Sequence, residues 1–184
     1  MTTMEHTTRP RDDGDIAAVM EEMPYGVYIV GSADAAGEPN GMMADWVMQV
    51  SFHPRLLAIS FEQDAHTLAN IKANGAFIVN FLPEDEEGRH LAAKFAQPYF
   101  GAKVSGRTAG ETAVVHRKLR GISYVAAGPG CPILTGASAW LECKSVQFVA
   151  AGDHTVVIGE VVDGQRVREA TPLTSLYSGW AYSG

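Results

Sequence analysis

The chain has 184 residues, 46% of them hydrophobic, which is enough for one domain with a packed core. Its 14 basic and 21 acidic side chains give a formal net charge of -7, so it lacks the basic surface that binding to nucleic acid requires. The N-terminus is polar from its first residue and no apolar run approaches the ~20 residues of a membrane span, so we expect a cytoplasmic protein without a signal peptide or membrane segment.

The first third of the chain predicts an arm, a short helix and three strands. Residues 1–14 are polar and predict a disordered arm, which leaves residues 15–184 as a single domain. Asp15 is the candidate N-cap of a helix over residues 16–23. Apolar runs bounded by glycine, proline and asparagine predict a meander of three strands over residues 27–30, 42–50 and 56–61.

The middle of the chain predicts two helices separated by a strand. Asp64 is the candidate N-cap of the first helix, and Asn74 and Gly75 mark its end. Residues 76–81 follow as a strand. Residues 84–87 are acidic and predict the start of the second helix, because carboxylates favour the positive end of the helix dipole.

The second half of the chain begins irregularly and ends in a hairpin. Residues 97–135 contain loop-like and short strand-like runs, which indicate an excursion over a ligand or a partner. Alternation then returns from residue 137, with a β-bulge near Ser145 and a turn at residues 151–153. Because the strands arrive in runs with short turns, we predict a mainly β fold, an antiparallel barrel with two or three covering helices.

Several common catalytic and binding motifs are absent from the sequence. There is no GxGxxG after the first strand, no GxxxxGK[ST], no HExxH and no CxxC, which excludes the Rossmann, P-loop and common zinc sites. No serine has the flanking glycines of a nucleophile elbow. Cys131 and Cys143 are twelve positions apart and no two of the six histidines are spaced i, i+4, so neither a disulfide framework nor a histidine metal site is predicted.

The segment from residue 40 to residue 67 has the composition of a ligand cradle. Gly41, Ala44 and Ser51 are small, so a flat ligand could approach the main chain, while Trp46 offers a ring face. Thr67 places a hydroxyl beside the first amides of a helix, which have no partners inside the helix and favour an anion. A phosphate-bearing cofactor fits these features.

Each of these residues also has a purely structural interpretation. A strand tryptophan such as Trp46 is commonly part of the core, and a threonine in the first turn of a helix, such as Thr67, commonly helps to cap the helix backbone. Lys94 can solvate the outer face of an amphipathic helix. His154 follows a Gly-Asp turn and can bond Asp153 as an exposed turn histidine.

A set of separated motifs resembles one known family. The run NGMMADWVMQVSFHPRLLAIS is similar to the pattern N-G-M-T-x-S-W-x-x-Q-V-S-F-x-P-P-L, and HTLANI, Val79-Asn80, residues 92–95 and GDHTVVIGEVVD follow at the same spacing. On these residues the chain resembles, over residues 24–177, the flavin reductase-like family of FMN-binding split barrels.

The resemblance implies a fold, a cofactor and a set of site residues. It implies an antiparallel split β-barrel that pairs as a homodimer and binds FMN, with FAD or a loosely held flavin substrate as alternatives. His154 would be catalytic, on the nicotinamide side of the flavin. The implied flavin-binding residues are Asn40, Met43, Ala44, Asp45, Trp46 and Ser51 for the ring and ribityl chain, Thr67 and Lys94 for the phosphate, Phe95 packed nearby, and Tyr177 from the C-terminal segment, in the same or a partner subunit.

Three positions depart from the family pattern. Met43 stands where a threonine is usual, Asp45 where serine or asparagine is common, and Ala65 where a serine is frequent. At least two side-chain hydrogen bonds to a flavin are therefore altered or lost. Main-chain amides could still bind the ring, since their contacts do not depend on side-chain identity.

The implied activity is hydride transfer from NAD(P)H to a flavin, after which reduced flavin or electrons pass to an acceptor such as a monooxygenase component. One alternative is a flavoredoxin-like electron carrier that does not use NAD(P)H. Another is a split barrel that binds a different planar ligand or only a protein partner, because fold alone does not determine function.

Overall fold

The computed structural model describes residues 13–96 and 118–180. Within these ranges the chain forms four helices: α1 (Asp13–Glu21), α2 (His66–Asn74), α3 (Glu86–Phe95) and α4 (Ser175–Ser178). None of these helices has the length and hydropathy needed to cross a membrane. The nine strands of the same ranges are β1 (Tyr28–Ala33), β2 (Pro39–Ala44), β3 (Val47–Ser51), β4 (Leu56–Glu62), β5 (Ala76–Phe81), β6 (Tyr124–Ala127), β7 (Cys131–Leu134), β8 (Ala139–Ala151) and β9 (His154–Arg166).

Seven of the strands form one antiparallel sheet in the order β2-β1-β5-β8-β9-β4-β3. One face of β4 buries Leu57, Ile59 and Phe61, and α2 packs Leu68 and Ile71 into the same core. Burying each of these side chains contributes about 1.5–3 kcal/mol. The predicted fold class, mainly antiparallel β with covering helices, is confirmed.

The long hairpin of β8 and β9 was also predicted, including its irregularity. Its register shifts between Ser145 and Gln147, where the extra residue Val146 is displaced from the ladder and 52% exposed. The residues of β8 beyond this bulge are exposed, Phe148 by 41%, so the bulge does not return an apolar set to the core. A second register shift lies between Glu142 and Cys143.

The prediction of one strand over residues 42–50 is wrong. The chain breaks at Asp45 and Trp46, so β2 pairs with β1 while β3 pairs with β4. These two strands lie at opposite ends of the sheet order, and one straight strand could not pair with both neighbours. Trp46 therefore sits at the corner where the chain leaves one edge of the sheet for the other.

Two predicted helix caps are also wrong. The first helix begins at Asp13, so Asp15 lies in its first turn, and two residues assigned to the arm are helical. The N-cap of α2 is Ala65 rather than Asp64. The helix ends as predicted at Gly75, whose φ of 70° is in the left-handed region that glycine adopts without strain. Residues 1–12 lie outside the described residues, and the division into an arm and one domain stays a prediction.

The irregular segment predicted over residues 97–135 is only partly described. Its residues 97–117 lie outside the described ranges, and β6 and β7 form a hairpin within the rest. Buried Asn80 of β5 attaches this hairpin to the sheet. Its amide nitrogen donates to the carbonyls of Ile29 and Pro132 at 3.2 Å each, and its carbonyl oxygen accepts from the amide of Leu134 at 2.8 Å.

Candidate functional site

Three aromatic rings lie in a row at the corner between β2 and β3. The ring centroid of Trp46 is 5.0 Å from that of His154, with the planes inclined by 38°, and 6.5 Å from that of Tyr25. The corner is anchored to β4, because the amide of Ser60 donates to the Trp46 carbonyl at 3.1 Å. Trp46 is only half-buried, so it forms a wall of this corner rather than part of the closed core.

His154 is held in place by its neighbour in the chain. It is the first residue of β9, opposite Glu62 of β4, and its Nδ1 lies 2.6 Å from a carboxylate oxygen of Asp153. Its side chain is 12% exposed, against 93% for Asp153. The hydrogen bond from His154 holds the pKa of Asp153 below its usual range. Because an ionised carboxylate only accepts, the proton between the two groups lies on Nδ1 of His154.

Gln63 fixes the turn that presents His154. Its backbone amide donates to the Asp153 carbonyl at 3.1 Å, and its side-chain amide donates to the Gly152 carbonyl at 2.8 Å. Sequence analysis missed this residue, and its only local signal is a polar side chain directly after β4. The partners lie 89 positions apart, so no sequence pattern marks their contact.

Asn40 and His66 form a second pair of site residues. The Asn40 carbonyl oxygen accepts from the amide of Gly41 at 2.8 Å, which fixes the orientation of the side-chain amide. Its nitrogen then lies 2.9 Å from Nδ1 of His66, at the first position of α2. Since the amide nitrogen can only donate, His66 accepts at Nδ1 and carries its proton on Nε2. Asn40 was predicted, whereas His66 was not.

The start of α2 fits an anionic group. The side chain of its N-cap, Ala65, makes no hydrogen bond to the helix. The first turn of α2 lies within the described residues and contains no acidic residue. Thr67 in this turn is 2% exposed. The first amides of a helix favour negative charge, and the N-cap side chain of this helix does not bond to them.

Packing explains part of the predicted cradle without a ligand. A Cβ on Gly41 would lie 2.6 Å from a ring carbon of Phe95, so this glycine makes room for a core ring. Met43 packs against the same cluster, and Ala44 is buried opposite Tyr28. These three residues of β2 therefore have packing partners in the core of the protein.

The remaining predicted site residues lie elsewhere or have other partners. Ser51 pairs with Leu56 at the far end of β3, five residues and about 16 Å along the strand from Trp46. Tyr177 is 43% exposed in α4, where its amide donates to the Thr174 hydroxyl at 3.3 Å. Asp45 lies in the corner itself, where burial raises the pKa of its carboxyl.

Two lysines connect α3 to the segment that follows residue 117. The Lys94 ammonium donates to the Arg120 carbonyl at 2.6 Å, and that of Lys118 donates to the Phe95 carbonyl at 3.2 Å. The Lys94 ammonium therefore has a main-chain partner in this structure, and its predicted role at a phosphate stays a prediction. Lys118 is 6% exposed, and burial lowers its pKa to about 8.

We expect Lys118 to make the protein more stable as the pH rises above 8. The pKa of a lysine in an unfolded chain is about 10.4, so between pH ~8 and ~10.4 the unfolded state binds more protons on this group than the folded state. The free energy of unfolding should rise by up to about 3 kcal/mol across this window, relative to the variant Lys118→Met. Urea unfolding of both proteins at several pH values measures the difference, and a constant difference between pH 8 and 10 would contradict the assignment.

Comparison with known proteins places this geometry in a family. Residues 20–183 match the flavin reductase like domain. The chain is 30% identical to a flavin reductase (NADH) from Kitasatospora aureofaciens over 165 residues, which are 88% of this chain and 77% of that protein. It spans less of two relatives from Rhizobium meliloti (strain 1021), 38% of a probable flavin reductase and 52% of a stachydrine N-demethylase reductase subunit.

Solved structures of similar proteins share the fold over most of its length. The flavin reductase HpaC, crystallised with NADP+, superposes with a TM-score of 0.72 at 27% identity, covering 94% of this chain and 98% of that one. Nitrilotriacetate monooxygenase component B from Mycobacterium thermoresistibile superposes with a TM-score of 0.71 at 26% identity, covering 89% and 82%. The resemblance identified from the motifs is thereby confirmed: this chain belongs to the family of flavin reductase like domains.

Proposed function

We propose that the chain is an NAD(P)H:flavin oxidoreductase, which transfers hydride from NAD(P)H to FMN, or to FAD, and passes reduced flavin or electrons to an acceptor. The observation that carries the proposal is the Trp46 and His154 ring pair beside the start of a helix whose N-cap residue is Ala65. The relatives named as flavin reductases support the same activity.

The two halves of the site are joined by a short turn. Glu62 lies opposite His154 in the sheet, and the amide of Ala65 donates to the Glu62 carbonyl at 3.0 Å, directly before α2 begins. A ligand with a flat ring at one end and a phosphate at the other matches this arrangement. The first amides of α2 and Thr67 would hold the phosphate, and Asn40 and the main chain around Trp46 would hold the ring and ribityl chain.

In this site a bound flavin supplies the redox chemistry, as acceptor of the hydride. The chain itself supplies position. His154, fixed by Asp153, presents Nε2 as a hydrogen-bonding partner for the carboxamide of a nicotinamide. Orientation of this kind brings reacting atoms to about 3–3.5 Å and supplies much of the rate advantage.

Two departures from the family pattern bear on how the ring is held. Met43 packs into the core cluster around Phe95, and Asp45 is partly buried with a raised pKa. Neither side chain replaces the hydrogen bonds of a threonine or serine hydroxyl. We propose that the flavin ring is bound here through main-chain amides, which makes FMN, with its phosphate on the helix start, the preferred ligand over riboflavin.

Two measurements test the function. Titration of the purified protein with FMN, FAD and riboflavin, followed by flavin fluorescence, should show saturable binding with FMN tighter than riboflavin. Steady-state consumption of NADH and NADPH with added flavin should then show turnover. Flavin binding without turnover would favour an electron carrier, and no binding of any flavin at saturating concentration would overturn the proposal.

We expect Asn40→Ala to weaken FMN binding about tenfold, which corresponds to about 1.4 kcal/mol. The variant loses the amide that fixes both Gly41 and His66. The matched control is Asn74→Ala at the other end of α2, whose amide nitrogen donates to the carbonyls of Ala33 and Asp34. Fluorescence titration of both variants should show the loss only at Asn40, and equal affinities would contradict the role of this residue.

We further propose that the chain acts as a homodimer, formed through the outer face of β3, β4, β9 and β8. On this face the register aligns Met48 with Ala58 and Ile158, and Val156 with Val149. Met48 is 63% and Val149 is 41% exposed, and together with Ala58, Val156 and Ile158 they place apolar residues of all four strands on this face. A second copy of the same sheet is the partner that such a flat apolar face fits.

Light scattering after size exclusion tests the dimer. The protein should elute at twice its chain mass of 19.7 kDa, and Met48→Glu combined with Val149→Glu should give the single mass. Val167→Glu is the control, because this exposed valine follows the end of β9. A monomeric wild-type protein would overturn the proposal.

A redox partner and a location complete the proposal. Component B of a monooxygenase is among the structures that this chain resembles, and an oxygenase component that consumes reduced flavin is the acceptor we propose. Oxygen consumption by a reconstituted pair tests this step.

We place the protein in the cytoplasm, where buried free thiols such as Cys131 and Cys143 persist in reduced form.

A further inference from the structure

The C-terminal segment of the described chain is bound into the sheet beside the candidate site. Leu173 is fully buried; its amide donates to the Leu82 carbonyl and its carbonyl accepts from the amide of Val27, at 2.9 Å each. The amide of Glu84 donates to the Thr171 carbonyl at 2.7 Å. Residues 171–175 therefore lie between the chain that enters β1 and the chain that leaves β5, and act as a clasp between them.

The clasp ends in a double hydrogen bond to Tyr25. The hydroxyl of Ser175 accepts from the Tyr25 amide at 2.9 Å, and the Ser175 amide donates to the Tyr25 carbonyl at 2.8 Å. The neighbouring Gly26 bridges Thr174 in the same ladder. With both its main-chain groups bonded to one residue, Tyr25 has a fixed backbone, and its ring direction follows from that backbone and one χ1 rotamer.

The Tyr25 ring continues directly into the site. It lies 6.5 Å from Trp46, whose ring lies 5.0 Å from His154, which in turn bonds Asp153. The row of three rings is therefore tethered at both ends, by Ser175 at one end and by Asp153 at the other. Edge and tilted contacts between such rings contribute about 0.5–1.5 kcal/mol each and favour particular ring orientations.

We infer that Tyr25 is a positioning residue of the site, and that Ser175 acts through it to set the orientation of Trp46 against His154. The effect of this ring orientation on hydride transfer rests on the proposed function. Trp46 lies between β2 and β3, where its carbonyl is bonded to Ser60 and its ring contacts the rings of Tyr25 and His154. The C-terminal clasp acts on the contact with Tyr25, because Ser175 bonds Tyr25 from 150 positions away in the sequence.

The orientation of Trp46 can be observed without any ligand. Labelling with 5-fluorotryptophan gives one fluorine resonance for each of the three tryptophans, and Trp46→Phe assigns the one of interest. Ser175→Ala and Tyr25→Leu should each shift the Trp46 resonance by more than its linewidth. Ser175→Thr and Tyr25→Phe, which keep the hydroxyl acceptor and the ring, should restore the wild-type position.

The matched control is Ser138→Ala, which removes a hydroxyl bonded to the Phe81 carbonyl at 3.2 Å, a bond that involves neither Tyr25 nor Ser175. It should lower the melting temperature about as much as Ser175→Ala and leave the Trp46 resonance unchanged. With FMN present, Ser175→Ala should weaken binding about fivefold and Ser138→Ala should not, as expected for loss of one hydrogen bond that orients the site.

The outcomes separate this inference from the proposed function. An unchanged Trp46 resonance in both Ser175→Ala and Tyr25→Leu overturns the inference, even if the wild-type protein binds and reduces flavin. A shifted resonance in a protein that binds no flavin supports the positioning role and overturns the proposed function instead. Equal shifts in Ser175→Ala and Ser138→Ala would show a general loss of structure and also overturn the inference.

Discussion

We expect His154→Ala to lower the rate of NAD(P)H-dependent flavin reduction by about 100-fold while the dissociation constant of the flavin changes by less than about threefold. The reason is that the imidazole, bonded to Asp153 and tilted by 38° to the Trp46 ring, belongs to the ring end of the proposed site and not to its phosphate end. Its loss removes orientation of the nucleotide and leaves the groups that hold the phosphate intact. Stopped-flow reduction of enzyme-bound flavin, compared with fluorescence titration, measures the two quantities separately.

Two further variants make this result specific. His90→Ala replaces an exposed histidine on α3 and should leave both quantities unchanged. Asp153→Asn keeps the shape of the turn but weakens the bond to His154, so it should slow reduction by a smaller factor than His154→Ala. A sharp fall in flavin affinity with reduction intact would reverse the assignment and place His154 on the flavin rather than on the nucleotide.

The parts of the fold that follow from local pattern were predictable. The β8 and β9 hairpin, its bulge at Ser145 and the glycine that ends α2 all depend on residues close together in the chain. The break at Asp45 and Trp46 was not predictable in the same way. Apolar residues lie on both sides of it, and the sheet order, with β2 and β3 at opposite ends, requires the chain to turn there.

The same distinction applies to the site. Trp46, Thr67, Asn40 and His154 carry motifs that can be recognised in the sequence, and the structure gives each of them a place at the corner or at the start of α2. The sequence did not predict the residues that bond to these site residues or orient them. They are Tyr25, Gln63 and His66, whose partners are 150, 89 and 26 positions away.

Gly41 belongs to the recognised motif, but its small size is explained by packing rather than by contact with a ligand. Its small size suggested an open main chain for a flat ligand, yet the space beside its Cα is filled by Phe95. The ring of Phe95 is fully buried, and so is Ile29 on the other side. The missing side chain is thus a packing requirement, which fixes α3 against β2 next to Asn40.

Gly41→Ala should therefore lower the free energy of unfolding by about 1–3 kcal/mol, the usual cost of overpacking a core. The added Cβ would lie 2.6 and 2.9 Å from two ring carbons of Phe95 and 3.3 Å from Ile29, so the ring or the strand must move. Because Asn40 is adjacent, FMN affinity should fall with stability.

A double-mutant cycle with Phe95→Leu distinguishes this cause from a change in backbone freedom. Leucine removes the ring carbons that meet the new methyl group, so Gly41→Ala should cost less in the Phe95→Leu background, with a coupling energy of about 1 kcal/mol or more. Additive effects in urea unfolding would mean that the ring does not set the requirement for glycine. In that case the small residue would again have to be explained by close approach of a ligand to the main chain of β2.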